Sequence, residues 1–191
     1  MCETMRLYHT GFAEIRQPDI HYGRKNADFG QGFYLSADGD FSRRWARARR
    51  GFDTVVNVYA LDLRGLRVER FQRDEAWFAY IFANRAGHAD SLPEADVIIG
   101  PIANDTLYDT WGVITSGLVG REKALRLLCH GPLYEQTVIK TQRAADQLRW
   151  QAARVLTPEE LSAGREAVRR EEAEYQAYVA GVLGDAMDAL K

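Results

Sequence analysis

The segment from Asp28 to Trp45, DFGQGFYLSADGDFSRRW, constrains the fold more than any other stretch of this sequence. Its first half is strand-like and contains Gly30 and Gly32, whose missing side chains let another backbone or a flat ligand come close. The turn residues at 38–40 then lead into a helix that is rich in arginine. The segment therefore predicts a strand, a turn and a helix, and it predicts that another backbone or a flat ligand lies close to the strand.

Short strands and helices alternate along the rest of the first 155 residues. Patterns of β-branched, aromatic and apolar residues predict strands at 6–10, 32–36, 54–61, 95–102 and 134–141. Helices are predicted at 41–50, 73–87, 121–131 and 143–150. This mixed order predicts an α+β domain over residues 1–155, followed by a C-terminal helical appendage over residues 156–191.

The C-terminal region begins with a helix-start signature. Thr157 is the predicted N-cap, Pro158 takes the first helical position and Glu160 completes a capping box. The helix has a charged middle and apolar residues later, Tyr178, Val182 and Leu183. Two interpretations stay open. The helix packs on its own domain, as amphipathic helices usually do, or it binds an antitoxin, a chaperone or a second copy of the chain.

Composition excludes several classes of protein. With 191 residues, 46% of them hydrophobic, and a net charge of −2, the chain suits one globular domain rather than a generally basic nucleic-acid binder. Cys2 and Cys129 stand alone, and the four histidines have no metal-ligand spacing, so we predict no metal site. The first residues, MCETMRLYHTGF, lack the long apolar run of a signal peptide, and no apolar run in the sequence is long enough to cross a membrane. We expect a cytoplasmic protein.

Three short motifs contain candidate site residues. LYHTG places His9 on a strand just before a glycine turn, where its ring can bind a ligand or the backbone. Tyr34 offers a flat ring, and Ser42 and Trp45 are three apart on the following helix, therefore on one face. In LYEQTVIKT, neighbouring side chains of a strand face opposite ways, so only one of Glu135 and Gln136 can line a given pocket. The alternative interpretation is that these rings belong to the hydrophobic core, as aromatic residues at such spacings more often do.

Together these motifs resemble the ADP-ribosyltransferase superfamily, in the histidine–tyrosine–glutamate branch of diphtheria toxin and the poly-ADP-ribose polymerases. LYHTG resembles its first strand and FGQGFY its tyrosine strand. The serine eight residues past the tyrosine falls on Ser42, and the second stacking ring, eleven past it, on Trp45. QTVIKT resembles the late strand. PDIHYGRKNADFGQGFYLS and GPIAND resemble, more closely, an uncharacterised bacterial family of this superfamily that is often encoded in toxin–antitoxin or phage-defence settings.

The resemblance implies a split β-sheet core with flanking helices, and an NAD-dependent mono-ADP-ribosyltransferase that acts on an intracellular nucleic acid or protein as a toxin or defence effector. It implies that the nicotinamide lies between Tyr34 and Trp45, with its carboxamide on Ser42 and the backbone of Thr10. His9 binds the adenosine-side ribose and Gln136 the nicotinamide ribose. From the resemblance and from the loop residues discussed below, the predicted NAD-binding residues are His9, Thr10, Arg24, Asp28, Gly32, Tyr34, Ser42, Trp45 and Asn104; the predicted catalytic residues are His9, Tyr34, Gln136, Glu135 and Asp105.

The sequence departs from the branch at two positions. Thr10 replaces a glycine whose backbone grips the carboxamide, which any residue can supply. Gln136 replaces the glutamate that stabilises positive charge as the glycosidic bond breaks, and its amide carries no charge. Glu135 takes that role only if the register shifts by one. An NAD glycohydrolase and a non-catalytic NAD- or ADP-ribose-binding module are therefore the alternative functions.

Loop residues and arginines supply the remaining candidates. Asn104 and Asp105 follow a buried strand, where Asp105 either acts as the acceptor's base or forms a turn. Asp28 either caps its loop or binds a ribose, and Arg24 and Lys25 can meet the NAD pyrophosphate. The predicted helix at 41–50 has arginines that face nucleic-acid phosphates, an acidic protein surface or solvent; they are Arg43, Arg44, Arg47, Arg49 and Arg50.

Overall fold

The computed structural model describes residues 4–103 and 130–188, the last six of them by backbone alone. The strands are β1 (Thr4–Gly11), β2 (Phe33–Leu35), β3 (Val55–Asp62), β4 (Val68–Arg70), β5 (Val97–Pro101), β6 (Glu135–Ile139) and β7 (Leu148–Val155). The helices are α1 (Gly39–Arg44), α2 (Glu75–Arg85), α3 (Gln142–Asp146) and α4 (Pro158–Asp188).

The strands form two sheets. The first has the order β1-β3-β7 and is antiparallel throughout. The second has the order β2-β6-β5-β4, antiparallel except for the β4–β5 pair. Within the described residues, backbone hydrogen bonds join the two sheets at one place, where Tyr8 of β1 and Ser36 exchange bonds of 2.8 and 3.0 Å.

The main core lies between the sheets. Apolar side chains from both of them, among them Leu7, Leu61, Val97 and Ile139, are buried in one cluster. A second cluster packs α2, through Trp77 and its neighbours, against the sheet that contains β5 and β6. Two sheets and their helices thus share contiguous apolar cores, and the predicted α+β class is confirmed.

All five predicted strands form. Other parts of the predicted order need correction or addition. The helix predicted at 41–50 spans Gly39–Arg44 instead, because at Trp45 the chain leaves the helix and Ala46 is buried. The helix predicted at 143–150 ends at Asp146, since the following residues form β7 on the open edge of β3. The short strand β4 was not predicted, and the helix predicted at 121–131 lies outside the described residues, apart from its last two positions.

Helix α4 begins as predicted and packs on its own domain. The Thr157 hydroxyl accepts a bond from the Glu160 backbone N–H at 3.2 Å, and the Glu160 carboxylate accepts one from the Thr157 N–H at 2.9 Å, which completes the capping box. Further along, Gly164 lies against the Arg44 backbone and Tyr175 is buried. The prediction that the later turns bind a partner stays a prediction.

A candidate membrane span is also absent from the described part of the chain, where no helix combines the necessary length and apolar character.

Candidate functional site

A cavity opens where β1 and β2 separate. The Tyr8–Ser36 bridge holds the two strands together, and beyond it they diverge. Helix α1 covers the gap, with the Tyr8 ring packed against Gly39 at the helix start. The cavity has a volume of about 220 Å³ and is lined by Tyr8, His9, Thr10, Tyr34, Leu35, Ser36, Phe41, Ser42, Trp45, Ile102 and Gln136. It therefore gathers six predicted site residues from four separate segments of the chain.

A backbone hydrogen bond holds the His9 ring, beside the gap, in one tautomer. Its Nδ1 lies 2.8 Å from the backbone oxygen of Tyr34, an atom that only accepts, so Nδ1 carries the proton. Burial lowers the pKa of His9 below its ordinary value of 6.5, although the bond to Tyr34 opposes this shift. The ring is therefore neutral near pH 7, and Nε2 has a lone pair that can accept a bond from a ligand hydroxyl.

The backbone of Thr10 faces the gap. In an antiparallel strand the backbone groups of residues two apart point to the same edge. Those of Tyr8 point to β2, since they bond Ser36. The N–H and C=O of Thr10 consequently point to the same edge, past the bridge, where β2 has moved away. One donor and one acceptor side by side match the two polar atoms of a primary carboxamide.

Tyr34 contributes the face of its ring, and its hydroxyl is engaged elsewhere. The hydroxyl donates to the Gly30 carbonyl at 2.7 Å and accepts from the Phe29 N–H at 3.0 Å, which closes the loop before the strand. Burial raises the pKa of Tyr34 well above its usual range. The phenol is therefore unsuited to proton transfer, and what it offers a ligand is a fixed aromatic surface.

Helix α1 supplies the opposite wall. Asp38 caps the helix through bonds to two backbone N–H groups. The buried hydroxyl of Ser42 donates to the Asp38 carbonyl at 3.0 Å, which leaves its lone pairs to accept. The indole Nε1 of Trp45 is buried without a hydrogen-bond partner among the described residues. The indole N–H is shielded from solvent, so Trp45 offers the cavity its ring and not an accessible donor.

Gln136 lies at the base of the cavity beside a carboxylate. Its Nε2 is 3.3 Å from Asp28 Oδ2 and 3.5 Å from the Pro101 carbonyl. Both partners are acceptors, so the amide nitrogen faces them and Oε1 faces away. Asp28 is itself paired with Arg85, whose Nε donates at 2.6 Å, and the two side chains are 12% and 18% exposed. A half-buried ion pair thus lies beside the Gln136 amide.

The register of β6 separates the two late candidates. Gln136 pairs with Gly100 and is buried, whereas Glu135 pairs with Pro101 and is exposed. The strand has the register that was assumed, and Glu135 does not line the cavity. Gly32 has a structural reason of its own, because a side chain there would meet the backbone oxygen of Ile139 at 2.6 Å. The close approach at Gly32 is that of another strand.

Other predicted residues are not brought to the cavity. Arg24 is exposed on the loop before β2, and Lys25 lines a different cavity. Asn104 and Asp105 lie outside the described residues. Asp28 is near, but its contacts are to protein groups. Among the described residues no cluster of His, Cys, Asp or Glu is arranged to hold a metal ion.

The arginines do not share one helical face. Arg43 pairs with Asp40, and Arg44 donates to Glu171 of α4 at 2.6 Å while lying over the Tyr134 ring. Arg44 thus joins α1 to α4, whereas Arg43 makes a local pair on the surface of α1. Three others follow the end of the helix and are exposed; they are Arg47, Arg49 and Arg50.

Sequence reasoning did not identify Arg85 or five residues of the cavity lining, which are Tyr8, Leu35, Ser36, Phe41 and Ile102. Tyr8 and Phe41 line the cavity beside predicted positions, and each precedes a predicted residue, so they carried the same local signal. Arg85 ends an amphipathic helix, where a basic residue is ordinary. Its pairing with Asp28 joins segments far apart in the chain, which no local pattern shows.

Comparison with known proteins assigns the chain to one family. No curated protein and no solved structure matches this chain. The model of one family matches residues 5–150, which include all of the cavity lining, and the chain therefore belongs to DUF3990, a family of proteins of unknown function.

Proposed function

We propose that this chain is an NAD-dependent mono-ADP-ribosyltransferase. The observation that carries the proposal is the gathering of His9, Thr10, Tyr34, Ser42, Trp45 and Gln136 around one cavity. These are the residues by which the sequence resembles the ADP-ribosyltransferase superfamily, and they come from four separate segments of the chain. A set of unrelated core residues would have no reason to meet at a single cavity.

The nicotinamide is proposed to lie between the ring of Tyr34 and the indole of Trp45. Aromatic contact stabilises a planar heterocycle through buried area and offset stacking. The Thr10 N–H and C=O bind the carboxamide oxygen and nitrogen. Because the Ser42 hydroxyl already donates to Asp38, it accepts the second carboxamide N–H. Every polar atom of the carboxamide then has a partner.

The ribose of the nicotinamide is proposed to lie over Gln136. Its hydroxyl donates to Gln136 Oε1, the amide atom that Asp28 and Pro101 leave open. His9 Nε2 accepts a hydroxyl of the second ribose, in the tautomer that the Tyr34 carbonyl fixes. Asp28, itself paired with Arg85, is a positioning residue, since it orients the Gln136 amide.

The proposed chemistry is substitution at C1′ of the nicotinamide ribose. The C1′–N bond breaks, its electron pair stays on the nitrogen, and nicotinamide leaves as a neutral molecule. A lone pair of the acceptor nucleophile forms the new bond to C1′, and the acceptor's proton passes to solvent or to a nearby base. The positive charge that develops on the ribose is stabilised by the Gln136 oxygen.

Labelled NAD incubated with the purified chain and a whole-cell lysate tests the proposal. We expect free nicotinamide and a labelled macromolecule, whose class follows from separate nuclease and protease treatment. Nicotinamide without a labelled macromolecule would show an NAD glycohydrolase instead. Tight NAD binding without nicotinamide release would show a binding module, the alternative that Gln136 in place of a glutamate favours.

The proposed biological role is that of a bacterial toxin or defence effector. Induced expression in a bacterial host is expected to stop growth, and Gln136→Ala is expected to relieve the arrest at equal protein level. Arrest that persists in that variant would separate the toxicity from the cavity.

A further inference from the structure

A second cavity adjoins the first across Trp45. It has a volume of about 190 Å³ and is lined by Thr10, Gly11, Phe12, Trp45, Arg47 and Thr54. Thr10 and Trp45 line both cavities. The second cavity therefore leads from the proposed nicotinamide pocket toward the segment after α1, where the exposed arginines lie.

Two exposed phenylalanines and an arginine form a cluster at the edge of this cavity. The rings of Phe12 and Phe52 are 37% and 53% exposed, and their centroids lie 6.2 Å apart. The guanidinium of Arg49 lies 4.4 Å from the Phe52 centroid and 5.9 Å from that of Phe12. Phe12 itself lines the second cavity, so the cluster is continuous with it.

A tight turn fixes this cluster. The Phe52 N–H donates to the Arg49 carbonyl at 3.1 Å, and Gly51 has a φ of +80°, a backbone conformation that favours glycine. The turn sets Arg49 and Phe52 side by side and presents Arg50 at its tip. The Thr54 hydroxyl donates to the Arg47 carbonyl at 2.8 Å, which anchors the start of the segment.

Within the described part of the chain, the positive charges of this segment are not paired with carboxylates. Among the described residues, Arg47, Arg49 and Arg50 form no ion pair, in contrast to Arg43 and Arg44. Asp53 is the one acidic residue between Arg47 and Thr54. A chain with a net charge of −2 therefore keeps three exposed cations together beside two exposed rings.

We infer that this segment docks a single-stranded nucleic acid, the acceptor of the proposed transfer. Bases stack on exposed rings irrespective of sequence, and guanidinium groups contact the phosphates between them. An acidic protein surface would use the arginines but would leave Phe12 and Phe52 without a role. A duplex would hide the base faces that the rings require. The inference rests on the proposed function for its acceptor role, whereas the docking itself needs no NAD.

Binding of a fluorescein-labelled single-stranded oligonucleotide, made as DNA and as RNA, tests the inference by anisotropy over a salt series. We expect Phe52→Ala and Arg49→Ala each to weaken binding by about tenfold. Arg49→Ala should also reduce the dependence of log affinity on log salt by about 0.7, the loss of one phosphate contact. Arg169→Ala and Phe82→Ala remove an exposed arginine and an exposed phenylalanine elsewhere, and we expect both to bind as wild type does.

Two further measurements keep the test decisive. NAD affinity of the Arg49 and Phe52 variants should equal that of wild type; a parallel loss would assign the cluster to the NAD adenosine and overturn the inference. Photo-cross-linking of a 4-thiouridine oligonucleotide to wild type should place the adduct on residues 47–52 or on Phe12. Adducts elsewhere, or binding that the variants leave unchanged, would also overturn it. Nicotinamide release without oligonucleotide tests the proposed function separately, because it requires the first cavity alone.

Discussion

The two ends of β6 each have a cavity, and the cavities differ in how their polar groups are satisfied. At the far end, a cavity of about 260 Å³ is lined by Lys140 and Asp90, which lie 3.1 Å apart. Asp90 also accepts from the Tyr80 hydroxyl at 2.7 Å and the Leu92 N–H at 2.9 Å, and Lys140 donates to the Phe29 carbonyl. Its buried charges have protein partners.

At the near end the polar groups are only partly satisfied. The Thr10 backbone faces the gap beyond the Tyr8–Ser36 bridge. Gln136 has its nitrogen engaged and its oxygen open. Polar groups that bond one another stabilise the fold, and polar groups left open beside aromatic rings are prepared for a ligand. The same strand therefore joins a structural centre to a candidate binding site.

The largest expected effect concerns the structural end. Lys140→Met should lower the free energy of unfolding by about 3 kcal/mol, because the half-buried Asp90 would lose its cation and the Phe29 carbonyl would lose its donor. Urea denaturation followed by circular dichroism measures this loss. Lys25→Met removes an exposed lysine from the same cavity and should stay within about 0.5 kcal/mol of wild type. Equal stabilities for the two variants would contradict the assignment of this end as structural.

At the binding end, two variants of Tyr34 distinguish the role of its ring from the role of its hydroxyl. Tyr34→Ala should weaken NAD binding by about 1–3 kcal/mol, through lost ring contact and buried area. Tyr34→Phe keeps the ring and loses the two loop bonds, so it should bind NAD as wild type does and unfold about 1 kcal/mol more easily. Isothermal titration calorimetry measures the affinities. Equal loss in both variants would mean that loop geometry, and not the ring, supports binding.

Gln136 and Asp28 test whether the open amide oxygen is used. Gln136→Ala should raise the barrier to nicotinamide release by about 1 kcal/mol or more, the scale of a lost buried hydrogen bond. Glu135→Ala, on the exposed side of the strand, is the matched control and should release nicotinamide as wild type does. A dead Glu135→Ala beside an active Gln136→Ala would reverse the assignment.

The branch's glutamate cannot simply be restored at position 136. Gln136→Glu would place a second carboxylate where the amide now lies 3.3 Å from Asp28 Oδ2, and like charges this close favour protonation of one of them. The double variant Asp28→Asn with Gln136→Glu moves the carboxylate and keeps the charge. We expect it to release nicotinamide faster than Gln136→Glu alone. The opposite order would show that Asp28 acts independently of the amide.

The smallest effect is a pH dependence of stability. Burial lowers the pKa of His9 below 6.5, so the unfolded chain binds this proton before the folded chain does. Stability from His9 is therefore complete above about pH 7 and falls as the pH drops below 6.5. Although burial opposes it, hydrogen bonds and a nearby cation lower the pKa values of Asp90 and Asp96 below 3.8, so their contributions are lost at more acidic pH. A His9→Gln variant should flatten the pH dependence of the unfolding free energy just below about pH 7; an unchanged slope would contradict the neutral, buried ring.

Local patterns predicted what local patterns determine. The capping box at Thr157, the strand at β6 and its alternation at Glu135 and Gln136 depend on neighbouring residues, and each formed as predicted. Strand β7 did not follow, because its helix-compatible sequence lies along the free edge of β3, and pairing there outweighs helical propensity. The pairing of Arg85 with Asp28 depends on the whole fold.

The gathering of the candidate site was predictable only through resemblance. Spacing placed His9, Tyr34 and Trp45 on separate elements, and nothing in their periodicity required one cavity. The link from Asp28 to Gln136 spans 108 positions of the chain. It also changes how Gln136 is understood, since a carboxylate from another loop, itself paired with Arg85, fixes which way the glutamine amide faces.

The Tyr8–Ser36 bridge makes the candidate site a natural reporter of slow local opening. Because these bonds alone join the backbones of the two sheets in the described part of the chain, their amide protons exchange with solvent whenever the gap widens. Neighbouring amides inside either sheet exchange only through larger unfolding. A ligand wedged between β1 and β2 would hold the bridge closed and slow those two protons selectively, so deuterium uptake at Tyr8 and Ser36 can rank ligands without knowledge of the reaction they undergo.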